Sequence, residues 1–513
     1  MLSSTVDTEF LDKFDSEVMS RVPRLRDGVV VDPTPLVEVT DDFISCADSE
    51  YGIKLDSKGV RVFAKMDSKL NGGSVKVRPA VAILRDAIAS GRLKKGQTVF
   101  EATSGNFGLA LGELRSLGLD VVVLVSRRLQ QGVIDGLRAK GVGLLNLDID
   151  ICPAPGFGGD TNLAVAKGVA SNVRQQLGEL HLDPVVFDGV RGDAETLLAR
   201  QDAIGLAKLL AKAYGGFCTE QYENDVNVDV HKTLTGPEVD MQLRDKGTSL
   251  GEADFVCAFG TGGTATGVSR YVSSKYGRKG VRVIFPISGQ DVAGIRTREK
   301  ALGLKFYEPS AYAGEHEVDF EEASKFFEFM NRKGYDVGES GALALYATMQ
   351  LANFGAGSSF VVMVADGSSK YLSEVSAVAK RGRRDQVRLD EAASSINEYG
   401  DVVWVHNTFV PRKEGRSIIA SALGVDEGSI KVANTKDVQA VLNGANPSEV
   451  FESLLRNDGR PLLLVCVGGS TSMMVAKVLE RSGVAAESLI GGISGLPGTK
   501  GRQMFDLVQI AGN

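Results

Sequence analysis

Apolar residues in the first three-quarters of the chain come in short unbroken runs rather than in strict alternation. DVVVLVS (120–126), ADFVCAFG (253–260), VRVIFPIS (281–288) and SSFVVMVADG (358–367) are such runs. Segments with helical spacing separate them, including RPAVAILRDAIASG (78–91), NFGLALGELRSLG (106–118) and LQQGVIDGLRAKG (129–141). Continuous apolar strands alternating with amphipathic helices predict a mostly parallel sheet covered on both faces, hence an α/β fold. The rhythm breaks at KRGRRDQVR (380–388), a basic stretch with little apolar content. A boundary near residue 385 follows, dividing a larger domain, 1–385, from a smaller one, 386–513. The smaller one again shows buried-type strands (DVVWVHN, PLLLVCVG, SLIGGI) with helices between them, so it reads as a second α/β domain.

Composition narrows the function. Apolar residues at 43% supply at least one large core, and a net charge of -7 argues against nucleic acid as the main ligand. No apolar run approaches 18 residues, so no membrane span is expected. The five cysteines are scattered and form no CxxC, and the four histidines form no HxxxH pair, so no metal site and no disulfide framework are expected. The N-terminal segment is acidic and lacks an apolar core, unlike a secretory signal, and a reducing cytoplasm is the expected compartment.

Three loops carry candidate chemistry. Asn71-Gly-Gly-Ser-Val-Lys76 places a lysine where a helix begins. The positive end of the helix dipole, together with burial, favours a free amine able to form an imine. The alternative is a surface lysine after a turn. Glu101-Ala-Thr-Ser-Gly-Asn106 joins a buried strand to a helix, and Thr103, Ser104 and Asn106 would offer hydroxyl and amide groups, beside backbone N–H groups, to a carboxylate. The same residues could serve only to cap the helix. Gly260-Thr-Gly-Gly-Thr264 follows a strand and opens another helix, a setting suited to phosphate. Gly260, Gly262 and Ala265 also fit a dinucleotide fingerprint, but no acidic residue stands at the tip of the next strand, VRVIFPIS, as that reading requires.

In order, these loops resemble the fold-type II pyridoxal-phosphate (PLP) enzymes, and among them the cysteine synthase and cystathionine β-synthase group. Thr34-Pro-Leu36, the segments His231–Glu238 and Glu339–Ala342, and ADGSSKYLS (365–373) add to the likeness, which spans most of residues 30–380. The resemblance implies two open, mostly parallel α/β subdomains and a homodimer. Lys76 would hold PLP as an imine and shuttle the α-proton. Asn106 would bond the ring 3′-oxygen, Thr103, Ser104 and Gly105 would hold the substrate carboxylate, and Gly260, Thr261, Gly262, Gly263 and Thr264 would cradle the phosphate. The implied reaction replaces the β-substituent of O-phosphoserine or O-acetylserine by sulfur through an aminoacrylate, giving cysteine. A β-eliminase of the same fold, or a sulfur-sensing homologue without catalysis, is the competing expectation. Two positions depart from the family pattern. Gly367 stands where a serine beside the pyridine nitrogen is usual, with Ser368 next to it as a substitute, and Val77 replaces the aspartate that usually follows the lysine. Arg296 and Arg298, in GIRTREK, are candidates for a substrate phosphate, the alternative being exposed helix arginines.

The segment from Cys152 to Gly216 is longer than the family's usual connection, which suggests a lid or contact surface. In the smaller domain, Val465-Cys-Val-Gly-Gly-Ser-Thr-Ser472 sets Cys466 between a strand and a helix and resembles a rhodanese-like sulfurtransferase loop. Cys466 would then carry a persulfide. The segments before it lack other rhodanese signatures, and a structural α/β domain is the alternative. The sulfur donor is left open between sulfide, a persulfide and a thiocarboxylated carrier protein.

Overall fold

The computed structural model describes residues 7–55, 59–103, 105–126, 129, 131–147, 163–288, 290, 292–355, 357–368, 386–387, 389–405, 412–442, 445–451, 454, 460–466, 470–489 and 493. Ser104, Cys152 with its CPAPGFGGD segment, Ser369–Ser373 and most of the basic stretch lie outside the described residues. The chain forms two compact units. The first comprises Met1–Gly158, Lys167–Ile287 and Val292–Tyr371, and the second Gly159–Ala166, Ser288–Asp291 and Leu372–Asn513.

In the first unit, β1 (Arg24–Arg26) and β2 (Val29–Val31) make an antiparallel hairpin. Then come β3 (Leu36–Glu38), β4 (Arg61–Met66), β5 (Thr98–Ala102), β6 (Asp120–Val125), β7 (Gly143–Asn146) and β8 (Phe217–Cys218). The last four are β9 (Asp254–Ala258), β10 (Val281–Pro286), β11 (Gly314–Val318) and β12 (Ser359–Val364). They build a six-stranded sheet, β11-β10-β9-β12-β4-β3, and a four-stranded one, β7-β6-β5-β8. Every pairing in these two sheets is parallel except β3 with β4. The chain leaves the larger sheet after β4, completes the smaller one, and returns at β9. Each sheet has its own core: Phe107, Leu109, Val123 and Leu137 in one, Phe255, Val268, Val283 and Val361 in the other. The unit is thus two open, mostly parallel α/β halves: the apolar runs predict the parallel pairing, and the division into two is what the resemblance implies.

One expected helix is split. NFGLALGELRSLG forms an α-helix only over Asn106–Gly112, and a separate 3₁₀ turn covers Arg115–Leu117 before Gly118 closes it in the left-handed conformation. The 3₁₀ turn lets Leu114 and Leu117 both reach the core within a short span.

In the second unit, β13 (Gln386–Val387), β14 (Asp401–Val405), β15 (Lys431–Ala433), β16 (Leu462–Val465) and β17 (Ala486–Leu489) form an all-parallel sheet, β13-β17-β16-β14-β15. Alternate residues go to opposite cores. Val402 and Trp404 face one side with Leu463, while Val403 and Val405 face the other with Leu462 and Leu464. Burial on both faces is why these strands read as unbroken apolar runs. The last strand begins two residues before SLIGGI, at Ala486, and is described to Leu489. No helix among the described residues is long and apolar enough to cross a membrane.

Candidate active site

Four connections leave the carboxyl ends of parallel strands in the first unit and converge, the usual place for ligands in open α/β sheets. They follow β4 (to Lys76), β5 (Thr103–Asn106), β9 (Gly260–Thr264) and β12 (Ala365–Ser368). The first and last are tied together: Val75 N–H donates to Ala365 O at 2.7 Å, and Ser74 bridges Asp366.

Lys76 caps the helix Val77–Ala89 and stands between two lobes of one cavity. One lobe runs past Thr103, Asn106, Tyr222 and Asp366. The other runs along Gly260–Ala265. Both share Lys76, Thr261 and Ser340. Burial, and then the positive charge of Arg296, push the Lys76 ammonium down to about 8, against the opposing pull of Asp366. At pH 7 about a tenth of this amine is therefore unprotonated, several hundredfold more than for an ordinary lysine.

The glycine loop is shaped for close approach. A Cβ on Gly260 would lie 2.9 Å from Gly294 O and 3.4 Å from Lys76 Nζ, so that side of the loop faces the amine directly. Gly262, with φ +92°, precedes the helix Gly263–Tyr276, and a Cβ there would strike Phe306 O at 2.7 Å. Thr261 is buried, and its Oγ1 accepts from Asn227 Nδ2 at 3.1 Å and from Gly263 N–H at 3.3 Å. Thr264 Oγ1 meets His231 Nε2 at 3.2 Å, and His231 Nδ1 meets Thr235 Oγ1 at 2.9 Å. Burial above all drops the His231 imidazole to about 3, so it is neutral. A glycine cradle at the start of a 14-residue helix, with a buried amine across from it, fits an aldehyde cofactor that carries a phosphate.

Asn106 lines the first lobe, and its Nδ2 donates to Asp366 Oδ2 at 2.7 Å. Thr103 is buried and accepts from Gly105 N–H at 3.1 Å. Gly367 and Ser368 follow Asp366 and turn toward Asp336. Ser368 N–H donates to Asp336 Oδ1 at 2.9 Å, and a Cβ on Gly367 would lie 2.6 Å from the same oxygen. Arg296 is buried rather than exposed, unlike Arg298. It lies behind the cavity wall and donates to the Tyr222 hydroxyl at 2.5 Å, and Tyr222 is the lining residue.

Several residues at the site carry no sequence signal of their own. Gln221 and Tyr222 line the cavity and Asn227, in the helix Val226–Val230, backs Thr261, within a stretch, TEQYENDVN, that holds no motif. His231, Ser340 and Asp366 lie inside segments recognised as family-like, but nothing local in the sequence distinguishes them. Thr34 and Glu238, from two of those segments, are buried with Lys65, Asp67 and Arg78 in one ionic group beside the Lys76 helix. Glu238 bonds Lys65 and Arg78, each at 2.6 Å, and Arg78 bonds Asp67 at 2.7 Å.

In the second unit, Cys466 ends β16, the central strand of its sheet, and is buried. Its Sγ accepts from the Ser472 backbone N–H at 3.3 Å and from the Ser472 hydroxyl at 3.2 Å. Gly468 and its neighbours 467 and 469 lie outside the described residues. Among the described residues, no cluster of three His, Cys, Asp or Glu side chains could hold a metal ion.

The chain is similar to several known proteins. Residues 32–367 match the family model described as pyridoxal-phosphate dependent enzyme. A cysteine synthase of Staphylococcus aureus is 26% identical over 328 residues, covering 62% of this chain and 90% of its own. An O-acetylserine dependent cystathionine beta-synthase of Bacillus subtilis is 25% identical over 326 residues, with the same coverage. A solved O-acetylserine dependent cystathionine beta-synthase from Helicobacter pylori superposes with a TM-score of 0.48 at 20% identity, covering 67% of this chain and 98% of that one.

Proposed function

The chain belongs to the family of pyridoxal-phosphate dependent enzymes, and from that premise we propose that it replaces the β-substituent of an O-activated serine, O-phosphoserine or O-acetylserine, by a sulfur nucleophile, forming cysteine. The observation that carries this is the Lys76 amine, held at about 8 between a carboxylate-binding loop and a glycine cradle. The relatives named cysteine synthase and O-acetylserine dependent cystathionine beta-synthase support the reaction class.

The cofactor supplies an imine-forming aldehyde and an electron sink that makes the substrate's Cα–H acidic. Lys76 holds the cofactor and then takes the α-proton as a free amine. Gly260, Thr261, Gly262, Gly263 and Thr264 hold the phosphate with backbone N–H and hydroxyl groups, Thr264 being steadied by His231. Asn106 orients the ring by its amide, while Gly367 and Ser368, turned to Asp336, reach the cofactor site only through the neighbouring Asp366. Thr103, Ser104 and Gly105 bind the substrate carboxylate, and Arg296 adds positive charge at the leaving-group end.

Residues 1–385 form the catalytic domain of a cytoplasmic homodimer in this reading. Residues 386–513 form a rhodanese-like sulfur-delivery domain, with Cys466 as persulfide carrier. Two donors on the Cys466 sulfur, at the carboxyl end of a central parallel strand, support that role. Sulfide, a persulfide or a thiocarboxylated carrier protein could each bring the sulfur.

The test is visible absorption of the purified protein with added cofactor, followed by cysteine formation from O-phosphoserine or O-acetylserine with sulfide. A yellow band lost in Lys76→Ala, and cysteine formed with one of the two substrates, is the expected result. Pyruvate without cysteine would favour the β-eliminase instead, and no turnover with the band intact would favour a sensing role.

A further inference from the structure

Glu101 is next to last in β5, and Thr103 extends that strand, its N–H donating to Leu124 O at 3.2 Å. Residues two apart in a strand point to the same side, about 6–7 Å from each other. A carboxyl group is therefore fixed close to the start of the loop assigned to the substrate carboxylate. It is 2% exposed. Its Oε2 meets the Thr219 hydroxyl, and its Oε1 accepts from Gln221 Nε2 at 3.3 Å. Gln221 is itself buried and lines the cavity, so it reaches from Glu101 to the wall. The charged and titratable neighbours do not favour an anion there. Glu220 repels it, and burial keeps the Cys218 thiol neutral. Lys208, which acts on Cys218, is taken up by Glu220 at 2.9 Å and Glu223 at 2.5 Å. A carboxyl buried among neutral hydrogen-bond partners keeps its proton to unusually high pH. Burial raises Glu101 to about 7, so it is neutral below that value and charged above it.

We propose that Glu101 is a positioning residue for substrate binding. As a neutral acid it holds Gln221 in the cavity wall and leaves the Thr103–Asn106 loop without a neighbouring negative charge. Once it loses its proton, it repels a carboxylate bound in that loop. The inference deepens the β-replacement reading and rests on its carboxylate loop. Its consequence is specific to one substituent of the ligand. Two like charges within about 10 Å in a poorly hydrated site repel appreciably, whereas a ligand without a carboxylate feels no such repulsion. Affinity for amino acids bearing a free carboxylate should therefore fall as pH rises through about 7.

The test is equilibrium dialysis of L-alanine and of L-alaninamide against cofactor-loaded wild type and Glu101→Gln, at pH 6 and pH 8.5. L-Alanine has the carboxylate but no β-leaving group, and L-alaninamide lacks the carboxylate. Glutamine keeps a hydrogen-bonding amide and never ionises, and an unchanged yellow band shows that the cavity is still assembled. Effects of pH on Lys76 or on the ligand amine are common to both proteins and cancel in their ratio. The wild-type affinity for L-alanine, relative to Glu101→Gln, should fall about five- to tenfold between the two pH values, and the ratio for L-alaninamide should stay within about twofold. A constant ratio for L-alanine, or an equal fall for L-alaninamide, would overturn the inference and leave the β-replacement reading standing. Failure of wild type to bind L-alanine at either pH, with the band intact, would remove the carboxylate loop and both readings with it. Gln221→Met serves if Glu101→Gln does not fold. It keeps Glu101 and removes one donor that favours the anion, so the midpoint of the fall in L-alanine affinity should move to higher pH, and an unmoved midpoint would count against the proposal.

Discussion

Asn106 and Asp366 are 260 positions apart, and their side chains meet at 2.7 Å beside Lys76. The bond joins the end of a strand in the smaller sheet to the end of one in the larger, so the lysine sits where the two halves close. Two charges act on its amine in opposite senses, Arg296 lowering its affinity for protons and Asp366 raising it, on top of the larger effect of burial. Imine formation needs the free amine. Uptake of the cofactor by the apoprotein should therefore accelerate with pH and level off above an inflection near 8. Asp366→Asn should move that inflection lower and Arg296→Met higher. Following the rise of the yellow band as a function of pH checks all three, and an inflection near 10.5 in wild type would contradict the assignment.

Neutral His231 bridges Thr235 and Thr264, and so fixes the hydroxyl of a threonine in the glycine loop, the proposed phosphate cradle. Losing one hydrogen bond to a positioned group costs about 1 kcal/mol, or about five- to tenfold in affinity. His231→Leu should weaken cofactor binding by that amount in equilibrium dialysis, and His231→Gln, which can still bond Thr264, by less. Equal losses in the two would mean that the imidazole only fills space.

The ionic group of Lys65, Asp67, Arg78 and Glu238 is balanced, with two positive and two negative side chains, all buried. Burial lowers the Lys65 ammonium to about 8 despite Glu238 and Asp67. Burial also works against the Asp67 carboxylate, yet Arg78 holds it below its usual range. Removing one partner leaves a buried charge uncompensated, a loss of about 3–5 kcal/mol. Glu238→Gln should show this in urea unfolding, where a loss below about 1 kcal/mol would indicate that water enters to replace the carboxylate.

The sheet pattern was legible because parallel strands buried on both faces leave unbroken apolar runs, as in β6, β10 and β12. Lys76 and the glycine loop were legible as candidates because their placement depends on local backbone: a helix start, and glycines where a Cβ would strike Phe306 or Gly294. Tyr222 and Asp366 were not, because each is held at the cavity by a partner far along the chain. Arg296 approaches Tyr222 across 74 residues and Asn106 approaches Asp366 across 260, and neither pairing leaves a periodic trace. The same holds for burial of Arg296, since GIRTREK resembles an exposed charged segment until the fold closes over its first arginine.

Glu101 is buried next to the Thr103 loop, bonded by Thr219 and by Gln221. Burial raises its carboxyl from 4.5 to about 7, with the two hydrogen bonds opposing. Between these values the folded protein holds a proton that the unfolded chain has released. The stability this contributes is complete below about pH 4.5 and is lost as pH rises through 7. A shift of this size corresponds to about 3 kcal/mol at most. His231 acts oppositely over a lower range: its folded value of about 3 lies below the usual 6.5, so its effect favours the fold as pH rises between those two values. The Glu101 effect is isolated by difference. Glu101→Gln, which never ionises, should lose less stability than wild type between pH 5 and pH 8, by about 1–3 kcal/mol, with His231 contributing equally to both proteins. Urea unfolding at the two pH values gives the difference directly. Parallel changes in the two proteins would mean that Glu101 is already ionised at pH 5.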